Sequence, residues 1–141
     1  MRKTTFLSII LILVTTIASA QWVQMGADID GESANDYSGS SVSVSSDGNT
    51  VAIGASRNDG NGSNAGHVRI YHYNVTAWTQ VGTDIDGEAA NDNSGRSISL
   101  SSDGNTVAIG AYQNDGNGSN AGHVRIYHYN GIAWTRVGDD I

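Results

Sequence analysis

Cysteine and proline are both absent from the 141 residues of this chain. Without cysteine the protein has neither disulfide bonds nor thiolate metal ligands, so its stability must come from packing, hydrogen bonds or bound ions. No stretch shows apolar residues at helical spacing, and no long apolar run follows residue 20. These absences exclude a disulfide scaffold, a helical bundle and, after residue 20, a membrane-spanning helix.

Basic residues are also scarce, with seven lysines and arginines against 14 acidic residues. Arg2 and Lys3 account for two of the seven, so the rest of the chain has a formal charge of −9 (five arginines against 14 acids). So acidic a surface repels phosphate groups and anionic lipid. The composition therefore argues against nucleic-acid and membrane-surface partners, and it favours cations.

The first twenty residues have the three-part order of a secretory signal peptide. Two positive charges stand in residues 1–3, residues 6–14 are apolar at all but one position, and residues 18–20 are the small residues of a cleavage site. The apolar run is too short to span a bilayer, and an uncleaved anchor is the alternative. We therefore expect export to remove residues 1–20, which predicts a secreted or cell-surface protein that begins at Gln21.

The chain after the predicted signal peptide is a sequence repeat. Trp22, Trp78 and Trp134 are 56 residues apart, and residues 22–77 and 78–133 are identical at 44 of 56 aligned positions. Residues 134–141 correspond to the first strand of a third copy. The sequence therefore predicts two complete repeats and one truncated repeat, which suits a fragment of a longer protein.

Each repeat contains four β-type runs separated by glycine, asparagine and aspartate. In the second repeat these runs are residues 78–85, 97–101, 106–111 and 123–129, with apolar side chains at alternate positions. Four antiparallel strands at this spacing are typical of a β-propeller blade, and a β-solenoid or a sandwich is the alternative. The predicted fold class is all-β, a partial propeller. Because a closed propeller needs about four to eight blades, we expect further blades or self-assembly.

Three short motifs in each repeat resemble the FG-GAP repeat of integrin-α-type propellers. In the second repeat they are Ser-Gly-Arg-Ser-Ile (94–98), Val-Ala-Ile-Gly-Ala (107–111) and Gly-His-Val-Arg-Ile-Tyr (122–127). The chain departs from the family pattern where serine replaces phenylalanine and where proline is missing. The calcium loop that the resemblance implies is replaced by a tight turn at residues 102–105, so calcium is not carried over to that position.

Each repeat also carries a short acidic loop whose carboxylates alternate along the chain. In Asp-Ile-Asp-Gly-Glu-Ala-Ala-Asn-Asp, the four acids occupy the first, third, fifth and ninth positions. Calcium takes six to eight oxygen ligands, and such a turn can supply several of them. The loops are therefore candidate calcium sites, with a solvated acidic turn as the alternative. The candidate ligands are Asp28, Asp30, Glu32 and Asp36 in the first repeat and Asp84, Asp86, Glu88 and Asp92 in the second.

No pattern of a catalytic site is present in the sequence, which has no nucleophile elbow, zinc-protease motif or phosphate loop. His67 and His72 recur as His123 and His128, but residues five apart on a strand point to opposite faces and cannot chelate one ion. Groups that are copied in every repeat also do not supply the different side chains that an active site needs. We therefore expect a non-catalytic protein.

The long loops of each predicted blade fall at one end of its strands, because successive connections in an antiparallel sheet alternate between ends. Loops on a rigid scaffold usually carry binding. The sequence therefore predicts surface binding or adhesion, with a protein or glycan of a cell surface or matrix as the ligand. A fragment of a propeller enzyme such as a glycan hydrolase, or a structural spacer, is the alternative. Glycosylation motifs occur at Asn61, Asn74 and Asn117.

Overall fold

The computed structural model describes residues 21–141, so the predicted signal peptide lies outside the described residues. The described residues form nine β-strands and no helix, so they include no helix that could cross a membrane. The first sheet contains β1 (Ser38–Val44), β2 (Thr50–Ala55), β3 (His67–Tyr73), β4 (Trp78–Gln80) and β5 (Ile85–Asp86). The second sheet contains β6 (Ser97–Leu100), β7 (Thr106–Ala111), β8 (His123–Tyr129) and β9 (Trp134–Arg136).

Both sheets are fully antiparallel and follow the chain from one edge to the other. Their orders are β1-β2-β3-β4, with β5 also paired to β3, and β6-β7-β8-β9. The predicted all-β class with antiparallel blade-type sheets is confirmed. The predicted runs 106–111 and 123–129 coincide with β7 and β8, and the run 97–101 ends one residue earlier than expected.

The predicted strand at residues 78–85, which begins at Trp78, differs from the prediction in two respects. The run 78–85 is interrupted between β4 and β5, where Gly82 adopts a φ of 73° that leaves the extended conformation. In addition, β4 pairs with the strand before it, because the Asn74 side chain accepts hydrogen bonds from the backbone N–H groups of Thr76 and Ala77 and closes a tight turn. The repeat boundary at Trp78 therefore lies inside the first sheet.

A tight turn connects the first two strands of each sheet, as the Asp-Gly pairs predict. Gly48 and Gly104 have φ values of 75° and 73°, and each donates its N–H to the serine three residues before it. The side chains of Asp47 and Asp103 complete these turns by accepting hydrogen bonds from the same serines. The two turns are therefore built alike, at the end of the sheets opposite to the long loops.

The two sheets pack face to face, with β6 lying over β1 and β2. The amide of Leu100 donates a hydrogen bond of 2.9 Å to Ser43 Oγ, and Ser41 Oγ donates one of 2.6 Å to the carbonyl of Gly95. These bonds lock the two sheets in one register across a shared apolar core. The buried core side chains are Ala52, Val68, Ile70 and Ile85 from the first sheet and Leu100, Val107 and Ile109 from the second.

Candidate functional site

The acidic loops and the long loops come together at one end of the sheets, as the sequence predicts. The amide of Asn114, in the loop between β7 and β8, donates a hydrogen bond of 2.9 Å to Asp92 Oδ2. The equivalent amide of Asn58 donates one of 2.8 Å to Asp36 Oδ2. Each acidic loop is therefore tied to the long loop that follows it, and the same loop pair is displayed twice.

Asp36 and Asp92, the ninth residues of the two acidic loops, are structural. Their exposed fractions are 4% and 3%, and each carboxylate is held by the neighbouring asparagine. Asp92 also accepts a 3.0 Å hydrogen bond from the backbone N–H of Ala89. These bonds satisfy carboxylates that would otherwise be costly to bury, and they fix the shape of the loops.

The first residues of the acidic loops have local partners. Asp28 Oδ1 accepts a 2.7 Å hydrogen bond from the side chain of Gln24, and Asp84 Oδ1 accepts one of 2.6 Å from Gln80. The third residues, Asp30 and Asp86, are exposed. The four acids of a loop thus have different surroundings and do not act as one unit.

A mixed cluster of Glu32, His67 and Asp84 takes one acid from each of the two loops. His67 Nδ1 lies 3.6 Å from Asp84 Oδ2 and 3.9 Å from Glu32 Oε2. The histidine is 1% exposed, whereas the side chains of Glu32 and Asp84 are 45% and 28% exposed. A buried imidazole therefore faces two carboxylates that solvent can reach.

An equivalent cluster in the second sheet contains Glu88, His123 and Asp140. His123 Nδ1 lies 3.6 Å from Asp140 Oδ2. Here Arg125 binds both acids, with Nη2 2.6 Å from Glu88 Oε2 and Nε 2.6 Å from Asp140 Oδ1. The hydrogen bond to Asp140 is the main reason that the pKa of Arg125 is raised, and the same bond lowers the pKa of Asp140. Arg136 Nη1 also donates a 3.0 Å hydrogen bond to Asp140 Oδ1, so this second cluster is an ion-pair network closed by two arginines.

The eight predicted ligands do not gather as the loop pattern suggested. Among residues 21–141, the groups of three histidine or acidic side chains whose ligand atoms lie within 4.8 Å of one another are the two mixed clusters. In the second loop Ile85 and Asp86 form an extended strand, in which two residues span about 6.6 Å, so the backbone holds Asp84 and Asp86 apart. Calcium binding by these loops stays a prediction.

Sequence reasoning missed His67 and His123 as members of these clusters. It compared each histidine with the other histidine on its own strand, whereas the partners come from neighbouring loops. The signal that could have found them is the recurrence at a spacing of 56 residues: Glu32, His67 and Asp84 return as Glu88, His123 and Asp140. Three ionisable residues that repeat together are candidates for one cluster.

The position of the family's calcium loop does not fit that ion here. The turn at residues 102–105 offers one carboxylate, Asp103, which accepts hydrogen bonds from Ser101 Oγ and from the N–H of Asn105. The bond from Ser101 is the main cause of the lowered pKa of Asp103. A single carboxylate that is already held by its own turn cannot supply the six to eight oxygens that calcium needs.

A family model described as the FG-GAP repeat matches residues 28–71 and 78–127, which together make up more than half of the chain. Each matched stretch includes the acidic residues and the long strands of one sheet. Comparison with curated proteins gives no match.

Proposed function

Because the chain belongs to the FG-GAP repeat family, we propose that it is a secreted, non-catalytic propeller-type module for surface binding or adhesion. Its ligand, a protein or a glycan of a cell surface or matrix, contacts the end of the sheets that carries the long loops. FG-GAP repeats are typical of extracellular proteins, which supports this location. The observation that carries the proposal is the repeated loop pair at one end of two rigid sheets.

The loop end is suited to binding because its loops are held in place. The buried Asp36–Asn58 and Asp92–Asn114 pairs fix the two copies of the loop pair in equivalent positions. Preorganised loops lose less conformational entropy when a ligand binds. Two equivalent loop pairs also offer two contacts to a repetitive ligand, so that avidity exceeds the affinity of either contact.

The outer faces of the two sheets support a module that works with further sheets of the same kind. Val42 and Val44 on the first sheet are 64% and 59% exposed, although their counterparts Ile98 and Leu100 are half-buried and 9% exposed. On the opposite side, Val124 of the second sheet is 38% exposed, whereas its counterpart Val68 is fully buried. Each outer face therefore has residues equivalent to those of one of the two faces that pack together between the sheets. Another sheet, from a copy of the chain or from a further blade, can pack on it in the same way.

The binding proposal can be tested with two lysine substitutions at opposite ends of the second sheet. Ser119 lies in the long loop between β7 and β8, Ser102 lies in the opposite turn, and both are exposed. The unsubstituted chain 21–141 is first screened against arrayed glycans and matrix proteins. Ser119→Lys should weaken the interaction that is found, whereas Ser102→Lys should not. Equal effects of the two substitutions, or no interaction at all, would contradict a ligand site at the loop end.

The assembly part of the proposal can be tested by sedimentation over a range of concentrations. The chain should associate with copies of itself, and Val44→Lys or Val124→Lys should each reduce association by placing a charge on an apolar face. A mixture of the two variants should form dimers, because each variant keeps the face that the other has lost. A wild-type chain that stays monomeric at all concentrations would show that copies do not cover these faces.

A further inference from the structure

We propose that Glu32, His67 and Asp84 form a binding site for one divalent transition-metal ion of the zinc class. One ligand atom from each of the three residues lies within 4.8 Å of the other two, and His67 Nδ1 lies 3.6 Å from Asp84 Oδ2 and 3.9 Å from Glu32 Oε2. They come from three separate elements: the segment before β1, the start of β3 and the segment before β5. The fold therefore brings together residues that lie up to 52 positions apart in the sequence.

The first support is the burial and direction of His67. Its exposed fraction is 1%, and its Nδ1 faces the two carboxylate oxygens at 3.6 Å and 3.9 Å. Both distances are too long for a hydrogen bond. A central ion could bind all three atoms at once, because ligands at about 2.1 Å in a tetrahedral site are about 3.4 Å apart. A small contraction of the cluster is sufficient to bind the ion.

The ligand set favours zinc over calcium. An imidazole nitrogen is a common ligand of zinc and related metals, whereas calcium takes six to eight oxygen atoms. Two carboxylates supply too few oxygens for calcium, but one histidine and two acids are three zinc ligands with a fourth position open to water. The partly exposed side chains of Glu32 and Asp84 give an ion access to the buried His67.

The neighbouring arginine leaves this cluster open. Arg69 Nη2 donates a 2.7 Å hydrogen bond to the carbonyl oxygen of Asp30, and its Nη1 lies 3.6 Å from Glu32 Oε1. That oxygen is not the one that faces His67. Neither Glu32 Oε2 nor Asp84 Oδ2 accepts a hydrogen bond from the guanidinium.

In the equivalent cluster of the second sheet, arginine occupies the carboxylate oxygens that correspond to the proposed ligands. Arg125 Nη2 donates to Glu88 Oε2 at 2.6 Å and to Asp140 Oδ2 at 3.0 Å. These two oxygens are the counterparts of the proposed ligand atoms, and a cation could bind them only by displacing the guanidinium. We therefore expect one bound ion for each chain, and the second cluster provides an internal control.

The test is a calorimetric titration of ion-free residues 21–141 with zinc chloride alone at neutral pH. The wild-type chain should bind one equivalent of zinc, and Glu32→Gln should weaken binding by about tenfold or more. The matched substitution Glu88→Gln should leave the affinity unchanged. Because Glu32 and Glu88 are both partly exposed, thermal melts should show that the two variants fold like the wild-type chain.

A fourth protein tests whether arginine is what prevents zinc from binding to the second cluster. Arg125→Gln combined with Arg136→Gln removes both guanidinium groups that bind the second cluster, and should raise the stoichiometry from one zinc ion towards two. Absence of zinc binding by the wild-type chain would overturn the proposal. It would also be overturned if Glu88→Gln weakened binding as much as Glu32→Gln, or if calcium competed with zinc at equal concentration.

Discussion

The two sheets share most of their sequence, but the same residues are buried to different extents in each. Val68 and Ile70 on β3 are 0% and 1% exposed, whereas Val124 is 38% exposed and Ile126 is half-buried on β8. The difference arises because the second sheet covers the inner face of the first, while the corresponding face of the second sheet is uncovered. The position of a repeat within the stack therefore decides how much each apolar side chain contributes to stability.

The comparison extends to the two mixed clusters. Arg69 turns towards the carbonyl of Asp30, whereas Arg125 binds both acids of its own cluster. The cluster residues and their first arginine are the same in the two repeats, but Gln80 beside Asp84 is replaced by Arg136 beside Asp140, and the ion pairs are different. The first cluster is thus open and the second is closed, so the second cluster provides an internal control for metal binding.

The largest expected effect comes from removing a core side chain in each sheet. Ile70→Ala should lower the free energy of unfolding by about 2–5 kcal/mol, because it leaves a cavity between the two sheets. Ile126→Ala should cost clearly less, since that side chain is half-buried and can leave its site open to water. Urea unfolding, at a concentration where the chain is monomeric, compares the two variants. Equal losses of stability would contradict the claim that the two side chains contribute differently because only the first sheet is covered.

A smaller effect is expected from adding one methyl group at the contact between the sheets. A Cβ on Gly54 would meet the backbone carbonyl oxygen of Gly95, which lies just before β6, as well as the Ser41 side chain. Backbone cannot give way easily, so Gly54→Ala should cost about 1–3 kcal/mol.

The matched control for this substitution is Gly110→Ala. A Cβ on Gly110 would meet mainly the side chain of Ser97, which can rotate away. Thermal melts of the two variants should therefore show the larger fall in melting temperature for Gly54→Ala. A larger fall for Gly110→Ala would contradict the close packing of the two sheets.

The smallest effect concerns the Asp-Gly turns, where the two repeats should behave alike. Hydrogen bonds, first from Ser45 Oγ and then from Asn49, lower the pKa of Asp47 to about 2 from 3.8. Because the folded pKa is the lower one, this stabilisation is present above pH 4 and is lost as the pH falls towards 2. Asp47→Asn should therefore make stability slightly less dependent on pH between pH 4 and pH 2.

Asp103 has the same partners in the second sheet, and its pKa is also lowered. Asp103→Asn should therefore flatten the acid dependence to a similar degree. Melting temperatures of both variants between pH 2 and pH 5 provide the measurement. A marked difference between the two would contradict the equivalence of the two turns.

Local features of the fold could be predicted from the sequence, and long-range features could not. Alternation at residues 106–111 and the Asp-Gly pairs located strands and turns correctly, because both depend on neighbouring residues. The pairing of Trp78 with the preceding strand was missed, since a 56-residue period has no marked starting point. The Glu32–His67–Asp84 cluster was missed because its members meet through the topology of the sheet.

The most direct test of the central claim is hydrogen exchange of β3 and β8, which have identical sequences in the two sheets. At a concentration where the chain sediments as a monomer, the amides of residues 67–73 should exchange more slowly than those of residues 123–129, because opening β3 also separates the two sheets. The difference should decrease at concentrations where copies associate. Equal exchange of the two strands in the monomer, or faster exchange in β3, would contradict the claim that coverage by the neighbouring sheet sets the stability of each repeat.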